Sequence, residues 1–227
     1  MGETLGIFGG TFDPVHLGHL ILARDAVEQF GLTRLIFVPA TINPHKLARG
    51  GPAAPADARL AMLHAAIAGE PRFSVDDCEL RRTGPSFTFD TVRELHARWP
   101  AAEWIYFIGA DNVAELPAWH RIDELRALVR FAVFQRGDEA ADGFLTVATR
   151  RIDISATEIR TRLTAGHPVR YLVPEAVATI ISARRLYSPE SGRPPAQRDT
   201  PASAAVSESG RVQTSFNPGV TPSLKKL

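Results

Sequence analysis

Short runs of β-branched and aromatic residues alternate along the chain with longer stretches whose apolar positions recur at helical spacing. The runs Thr4–Phe8, Arg34–Val38, Phe73–Asp76, Trp104–Ile108, Phe131–Phe134 and Leu145–Thr149 predict strands. The intervening stretches Gly18–Phe30, Ala56–Ala68, Thr88–Arg98, Arg121–Leu128, Thr157–Ala165 and Pro174–Arg184 predict helices, with Gly31, Gly69, Pro100 and Gly166 as their stop signals. Strands alternating with helices imply a parallel sheet covered by crossover helices, so the expected fold is a doubly wound, Rossmann-like α/β domain. After Tyr187 the chain becomes rich in Pro, Ser, Ala, Gly, Arg and Thr and poor in large apolar residues. Residues 1–187 therefore form the expected domain, and residues 188–227 are expected to be a disordered tail. No segment of 20–50 residues repeats, which argues against a solenoid.

Composition narrows the classes. With 227 residues and 44% hydrophobic content the chain can bury one sizeable core. Its 26 basic and 25 acidic residues give a formal charge of +1, so no global field holds it on nucleic acid or on an anionic membrane. Any phosphate must be gripped locally. Cys78 is the one cysteine, which excludes an internal disulfide and a C-x-x-C pair, and reads as a buried, reduced thiol. The N-terminus lacks the pattern of a signal peptide, and the apolar stretch Val173–Ala183 is interrupted by Pro174 and Glu175. A cytoplasmic protein is the expectation. A homo-oligomer is compatible with the sequence.

The candidate chemistry begins where the first strand runs through Gly9-Gly10 into a helix, the position at which α/β proteins bind nucleotide phosphates. Neither G-x-G-x-x-G nor G-x-x-x-x-G-K-[ST] is present, so this is not a dinucleotide fingerprint or an ordinary P-loop. His16 and His19 are three apart at the helix start and share a face. They suit donation to phosphate oxygens, although two surface histidines, or a zinc pair completed by Asp13, fit the bare spacing as well.

Gly9-Gly-Thr-Phe-Asp-Pro-Val-His-Leu-Gly-His19 resembles the signature of the nucleotidyltransferases that carry an H-x-G-H motif. The resemblance implies that Gly9, Gly10, Thr11 and Phe12 belong to an ATP site and that His16 and His19 contact the triphosphate and its transition state. Four further segments resemble the bacterial nicotinate-nucleotide adenylyltransferases, and with them the likeness runs from about Leu5 to Tyr187. Asn43-Pro-His-Lys46 implies that Lys46 contacts phosphate, where the residue alone reads as a solvated loop charge. Gly84-Pro-Ser-Phe-Thr-Phe-Asp-Thr-Val implies a nicotinate carboxylate at Ser86 and Thr88, which read locally as helix N-caps. Phe107-Ile-Gly-Ala-Asp-Asn implies close approach at Gly109 and ribose binding at Asp111, although Asp-Asn also suits a helix cap.

Trp119, in Leu116-Pro-Ala-Trp-His, corresponds to a tryptophan that stacks on nicotinate, while a lone Trp reads more simply as core. In Ile154-Ser-Ala-Thr-Glu-Ile-Arg, Ser155 and Glu158 have capping-box spacing, and the resemblance assigns Ser155, Thr157 and Arg160 to ATP phosphates. Ala156 departs from the family's usual hydroxyl there. The implied activity joins nicotinate mononucleotide to the AMP part of ATP, with Mg²⁺ held mainly by ATP phosphates and His16, His19, Lys46 and Arg160 as the catalytic groups.

Overall fold

The computed structural model describes residues 2–41, 51–135, 143–150 and 152–188, all within one unit spanning Met1–Gly192. Residues 42–50, Lys46 among them, and all but the first residue of the expected tail lie outside the described residues.

Six strands form one sheet in the order β3-β2-β1-β4-β5-β6, every neighbouring pair parallel. They are β1 Thr4–Gly10, β2 Arg34–Pro39, β3 Phe73–Val75, β4 Glu103–Gly109, β5 Arg130–Gln135 and β6 Leu145–Ala148. Every predicted strand is present. β1 runs two residues further than its apolar pattern, because Gly9 and Gly10 continue the ladder opposite Val38 and Pro39. A glycine pair carries no side-chain signal, yet its backbone pairs like any other.

Period-two alternation assigns each strand's side chains to two cores. Phe8, Leu35, Phe37, Ile105, Phe107, Ala132 and Phe134 join one core; Leu5, Ile7, Ile36, Val38, Trp104, Tyr106, Ile108, Phe131 and Val133 join the other. The first core is closed by helices α1 Leu17–Gln29, α2 Ala56–Ile67, α6 Ala156–Thr164 and α7 Glu175–Ala183, which contribute Val27, Met62, Ile159 and Val177. The second is closed by α3 Cys78–Arg81, α4 Thr88–Arg98 and α5 Ile122–Leu128, through Cys78, Phe89, Val92, Leu95 and Leu125. Cys78 is buried and its thiol is pushed up to about 12 by desolvation, in keeping with an inert thiol. No described helix is long and apolar enough to cross a membrane.

The strand order reverses direction between β1 and β4. Their carboxyl ends, Gly9-Gly10 and Ile108-Gly109, thus face the crevice where α/β sheets receive ligands.

Candidate active site

A cleft of about 830 Å³ opens at this switch point. Its lining includes Thr11, Phe12, His16, His19, Gly109, Asp111, Ser155, Thr157 and Arg160, so residues spread over 150 positions converge on one space. A smaller cavity of about 120 Å³ adjoins it and is lined by Gly9, Gly10, Ser86, Thr88 and Trp119, together with Glu79 and Tyr106. Gly109 borders both. Gly9 and Gly10, expected in the ATP site, therefore face the smaller cavity, while Asp111, expected to touch both substrates, faces the larger.

His16 is the N-cap of α1, with extended backbone (φ −141°, ψ 170°). Its N–H donates to His19 Nδ1 at 3.2 Å, so Nδ1 is an acceptor and the proton of the neutral His19 ring sits on Nε2. The two rings stack with centroids 3.7 Å apart and 25° between planes. Burial lowers the His16 pKa to about 4; burial, then the neighbouring His16, holds His19 well below the usual imidazole range. At neutral pH both rings are uncharged, and the pair offers N–H donors.

The surroundings hold the pair in place. Phe12 meets His19 edge to face at 5.0 Å and is buried against Phe8 and Phe37, with its own backbone in the left-handed region (φ +50°). A bulky residue held there is strained, and such strain persists only where packing over-determines it. Gly18 lines the cleft and leaves room for the histidines, since a Cβ at this position would lie 3.0 Å from His16 Nδ1. His16 Nδ1 is buried without a hydrogen-bond partner among the described residues.

Sequence reasoning missed the frame behind the site. Asp13 accepts from Ala53 N (2.7 Å), Ala54 N (3.1 Å) and the Tyr187 hydroxyl (2.7 Å). With both oxygens engaged it is a structural anchor, not a zinc ligand, and no three His, Cys, Asp or Glu side chains converge among the described residues. Arg59, on the buried face of α2, donates to the carbonyls of Thr11 (2.7 Å) and Ala40 (2.8 Å), tying together the loops that leave β1 and β2. Arg160 reaches back to Asp13 O (2.8 Å) and Thr157 Oγ1 (3.2 Å), which keeps a cation at the cleft wall. Arg59 was detectable as a cation among apolar neighbours; the pairing of Asp13 with Tyr187 carried no local signal.

Several capping expectations need correction. The N-cap of α4 is Phe87, without a side-chain bond; Ser86 precedes the cap and Thr88 is already helical. Both residues line the small cavity instead. Asp111 and Asn112 lie inside a 3₁₀ turn, Ala110–Asn112, whose N-cap is Gly109, because the chain tightens at once after β4. Ser155 does cap α6, accepting from Glu158 N at 3.1 Å. Trp119 ends the 3₁₀ turn Leu116–Ala118 and packs edge-on against Tyr106 at 6.1 Å, half-buried between core and cavity.

Comparisons with known proteins agree with this geometry. The cytidylyltransferase-like family model matches residues 7–162. A probable nicotinate-nucleotide adenylyltransferase of Geobacillus thermodenitrificans is 44% identical over 190 residues, covering 82% of this chain and 87% of the relative. One from Shouchella clausii is 45% identical over 188 residues, covering 82% and 97%. Among solved structures, the Plasmodium falciparum nicotinic acid mononucleotide adenylyltransferase complexed with NaAD superposes with a TM-score of 0.67 at 17% identity, over 82% of this chain and 97% of that one. That likeness shows the fold. The H-x-G-H pair at the switch point, the family match over most of the domain and relatives above 40% identity place this chain among the cytidylyltransferase-like nucleotidyltransferases, in the nicotinate-nucleotide adenylyltransferase family.

Proposed function

We infer that the protein transfers the AMP moiety of ATP to the phosphate of nicotinate mononucleotide, giving nicotinate adenine dinucleotide and pyrophosphate, a step of NAD biosynthesis. The observation that carries this reading is the neutral, stacked histidine pair at the switch point, with its N–H donors at the floor of a cleft sized for a nucleotide.

The acceptor is already a phosphate anion, so its oxygen attacks the α-phosphorus without a general base. Catalysis then consists of positioning and charge stabilisation. His19 Nε2–H and the His16 ring donate to oxygens on which charge develops, in a desolvated setting where each such bond counts for more than in water. Arg160 neutralises phosphate charge. Thr11 and the start of α6, at Ser155 and Thr157, would seat the distal phosphates, and Asp111 a ribose hydroxyl. Lys46 would add a second cation from the loop after β2.

Mg²⁺ fits this site only as a companion of the nucleotide, held by phosphate oxygens and water, because Asp13 is fully engaged by its neighbours and Asp111 is the other carboxylate in the cleft lining. It would neutralise charge on the departing pyrophosphate.

In the smaller cavity Trp119 offers a ring face, and the first turn of α4 offers N–H groups without intrahelical partners. An aromatic acid matches both. The test is turnover with ATP, Mg²⁺ and a panel of phosphate acceptors: nicotinate mononucleotide should be consumed with release of one pyrophosphate. Consumption of phosphopantetheine or a cytidylyl donor instead would refute the assignment.

A further inference from the structure

The cavity that suits an anionic ring also holds a carboxyl group of its own. Glu79, on α3, is 6% exposed and lines the same space as Ser86, Thr88, Tyr106 and Trp119. A fixed negative charge beside a substrate carboxylate would repel it. The surroundings of Glu79 show how the conflict is resolved.

Thr91 Oγ–H donates to Glu79 Oε1 at 2.7 Å, with the Phe87 carbonyl as a longer alternative at 3.5 Å, and Thr91 Oγ accepts from Arg82 Nη1 at 3.0 Å. Arg82 itself is spent on Thr91 and Glu94, and among the described residues Glu79 has no cation in direct contact. Thr41 donates to the Glu79 main-chain carbonyl, not to its carboxylate. From β4, Tyr106 presents a neutral phenol near Thr88; from the loop before α5, exposed His120 reaches the cavity rim. Cys78, the adjacent residue on α3, is a neutral thiol. Ser86 is 8% exposed and lies near enough to Glu79 to favour its ionised form, yet Ser86 Oγ completes no hydrogen bond of ordinary geometry among the described residues. A buried hydroxyl left in this way, beside a cavity, is a group waiting for a partner.

We propose that Glu79 and Ser86 set the hydrogen-bonding polarity of the small cavity: Ser86 donates to a substrate carboxylate when Glu79 carries a proton and accepts from a substrate amide when Glu79 is ionised. A serine hydroxyl has one proton and can give it in one direction only. With Glu79 protonated, the carboxylic acid donates to Ser86 Oγ, and the serine proton turns to the ligand. With Glu79 ionised, the serine proton turns to Glu79, and its lone pairs face the ligand. Burial raises the Glu79 pKa, the Thr91, Ser86 and Arg82 contacts opposing it, and a bound carboxylate raises it further. Uptake of one proton with the acid substrate, and none with the amide, follows. Glu79 is thus a residue that determines specificity and acts through Ser86; the inference rests on the adenylyltransferase reading above.

The test is kcat/KM for nicotinate mononucleotide and for nicotinamide mononucleotide over the whole pH range in which the protein stays folded, with the unaltered protein, Glu79→Gln and Ser86→Ala. Titration of the shared phosphate cancels in the acid-to-amide ratio. For the unaltered protein that ratio should fall by about an order of magnitude across the range. Glu79→Gln, whose amide stays neutral and can still donate to Ser86, should keep a high ratio that does not move with pH. Ser86→Ala, with Glu79 intact, should give a lower ratio whose fall with pH is smaller, because only the direct repulsion between Glu79 and the substrate carboxylate remains. A ratio independent of pH in the unaltered protein overturns the proposal, as does an unchanged pH dependence in either variant. Should Glu79→Gln not fold, Ser86→Ala decides alone. Failure of both mononucleotides to react would instead overturn the functional assignment.

Discussion

Replacing His19 by alanine separates the chemical from the structural role of the histidine pair. The substitution removes three things at once: the Nε2–H donor, the Nδ1 acceptor for His16 N–H, and a ring packed against His16, Phe8 and Phe12. Loss of a donor aimed at developing charge costs about 2.7–4 kcal/mol of transition-state stabilisation, or roughly a hundred- to a thousandfold in kcat. Loss of the partly buried hydrogen bond costs about 0.5–1.5 kcal/mol of folding stability, with the ring contacts adding to it. The expected result is a folded protein with a modestly lower Tm, an ATP Kd changed severalfold at most, and a kcat reduced by at least about a hundredfold. His19→Gln, which retains an amide donor, should recover part of the loss. Steady-state kinetics, calorimetric ATP binding and thermal melts on the three proteins are sufficient. A kcat within about threefold of the unaltered protein would refute the reasoning, and so would an ATP affinity that falls as far as kcat, because that pattern belongs to ground-state binding.

Three other outcomes are expected. Between about pH 6.5 and pH 4 the unfolded His16 binds a proton that the folded ring refuses, so its stability contribution is complete above the unfolded pKa and lost as pH falls. The full loss for His16 is about 3 kcal/mol, with His19 acting in the same direction; denaturant midpoints should drop from pH 7.5 to pH 5 and drop less in His16→Asn, and parallel curves would contradict the burial argument. Tyr187→Phe deletes a buried hydrogen bond to the Asp13 carboxylate and should cost about 1.5–3 kcal/mol, measured by chemical denaturation; an unchanged midpoint would show that Asp13 needs no such anchor. Gly9→Ala would set a Cβ 2.5 Å from the buried Tyr106 hydroxyl, so it should lower stability by about 1–3 kcal/mol and raise KM for the mononucleotide more than for ATP, whereas an equal rise in both would argue against separate sites.

The strands and the six longer helices were legible because each carries its own period: Leu35-Ile-Phe-Val and Trp104-Ile-Tyr-Phe-Ile send alternate side chains to two different cores, and that alternation is written in the sequence. The four-residue helix Cys78–Arg81 and the 3₁₀ turns after Gly109 were not legible, since they are shorter than the period that would reveal them. Capping was misread at Ser86 and Thr88 for a related reason. A hydroxyl near a helix start is a good cap only if its backbone is extended at the right residue, and here that residue is Phe87. The convergence of His16, His19 and Arg160 on one cleft could be anticipated from the sequence, because each lies in a contiguous motif. The residues that hold them could not. Asp13 meets Tyr187 across 174 positions and Arg59 meets Thr11 across 48, contacts made by the order of strands rather than by any local pattern. Glu79 was hidden in the same way, an ordinary acid in a charged stretch until the fold buries it beside Ser86.

The central claim is that an oxygen of the mononucleotide phosphate attacks the α-phosphorus of ATP. It is tested most directly by carrying ¹⁸O in all the non-bridging positions of the nicotinate mononucleotide phosphate and weighing both products by mass spectrometry. The expected result is complete retention of the label in the dinucleotide, one labelled oxygen having become the bridge, and none in pyrophosphate. Loss of one labelled oxygen from the dinucleotide, or its appearance in pyrophosphate, would contradict attack at the α-phosphorus and with it the role given to His16 and His19.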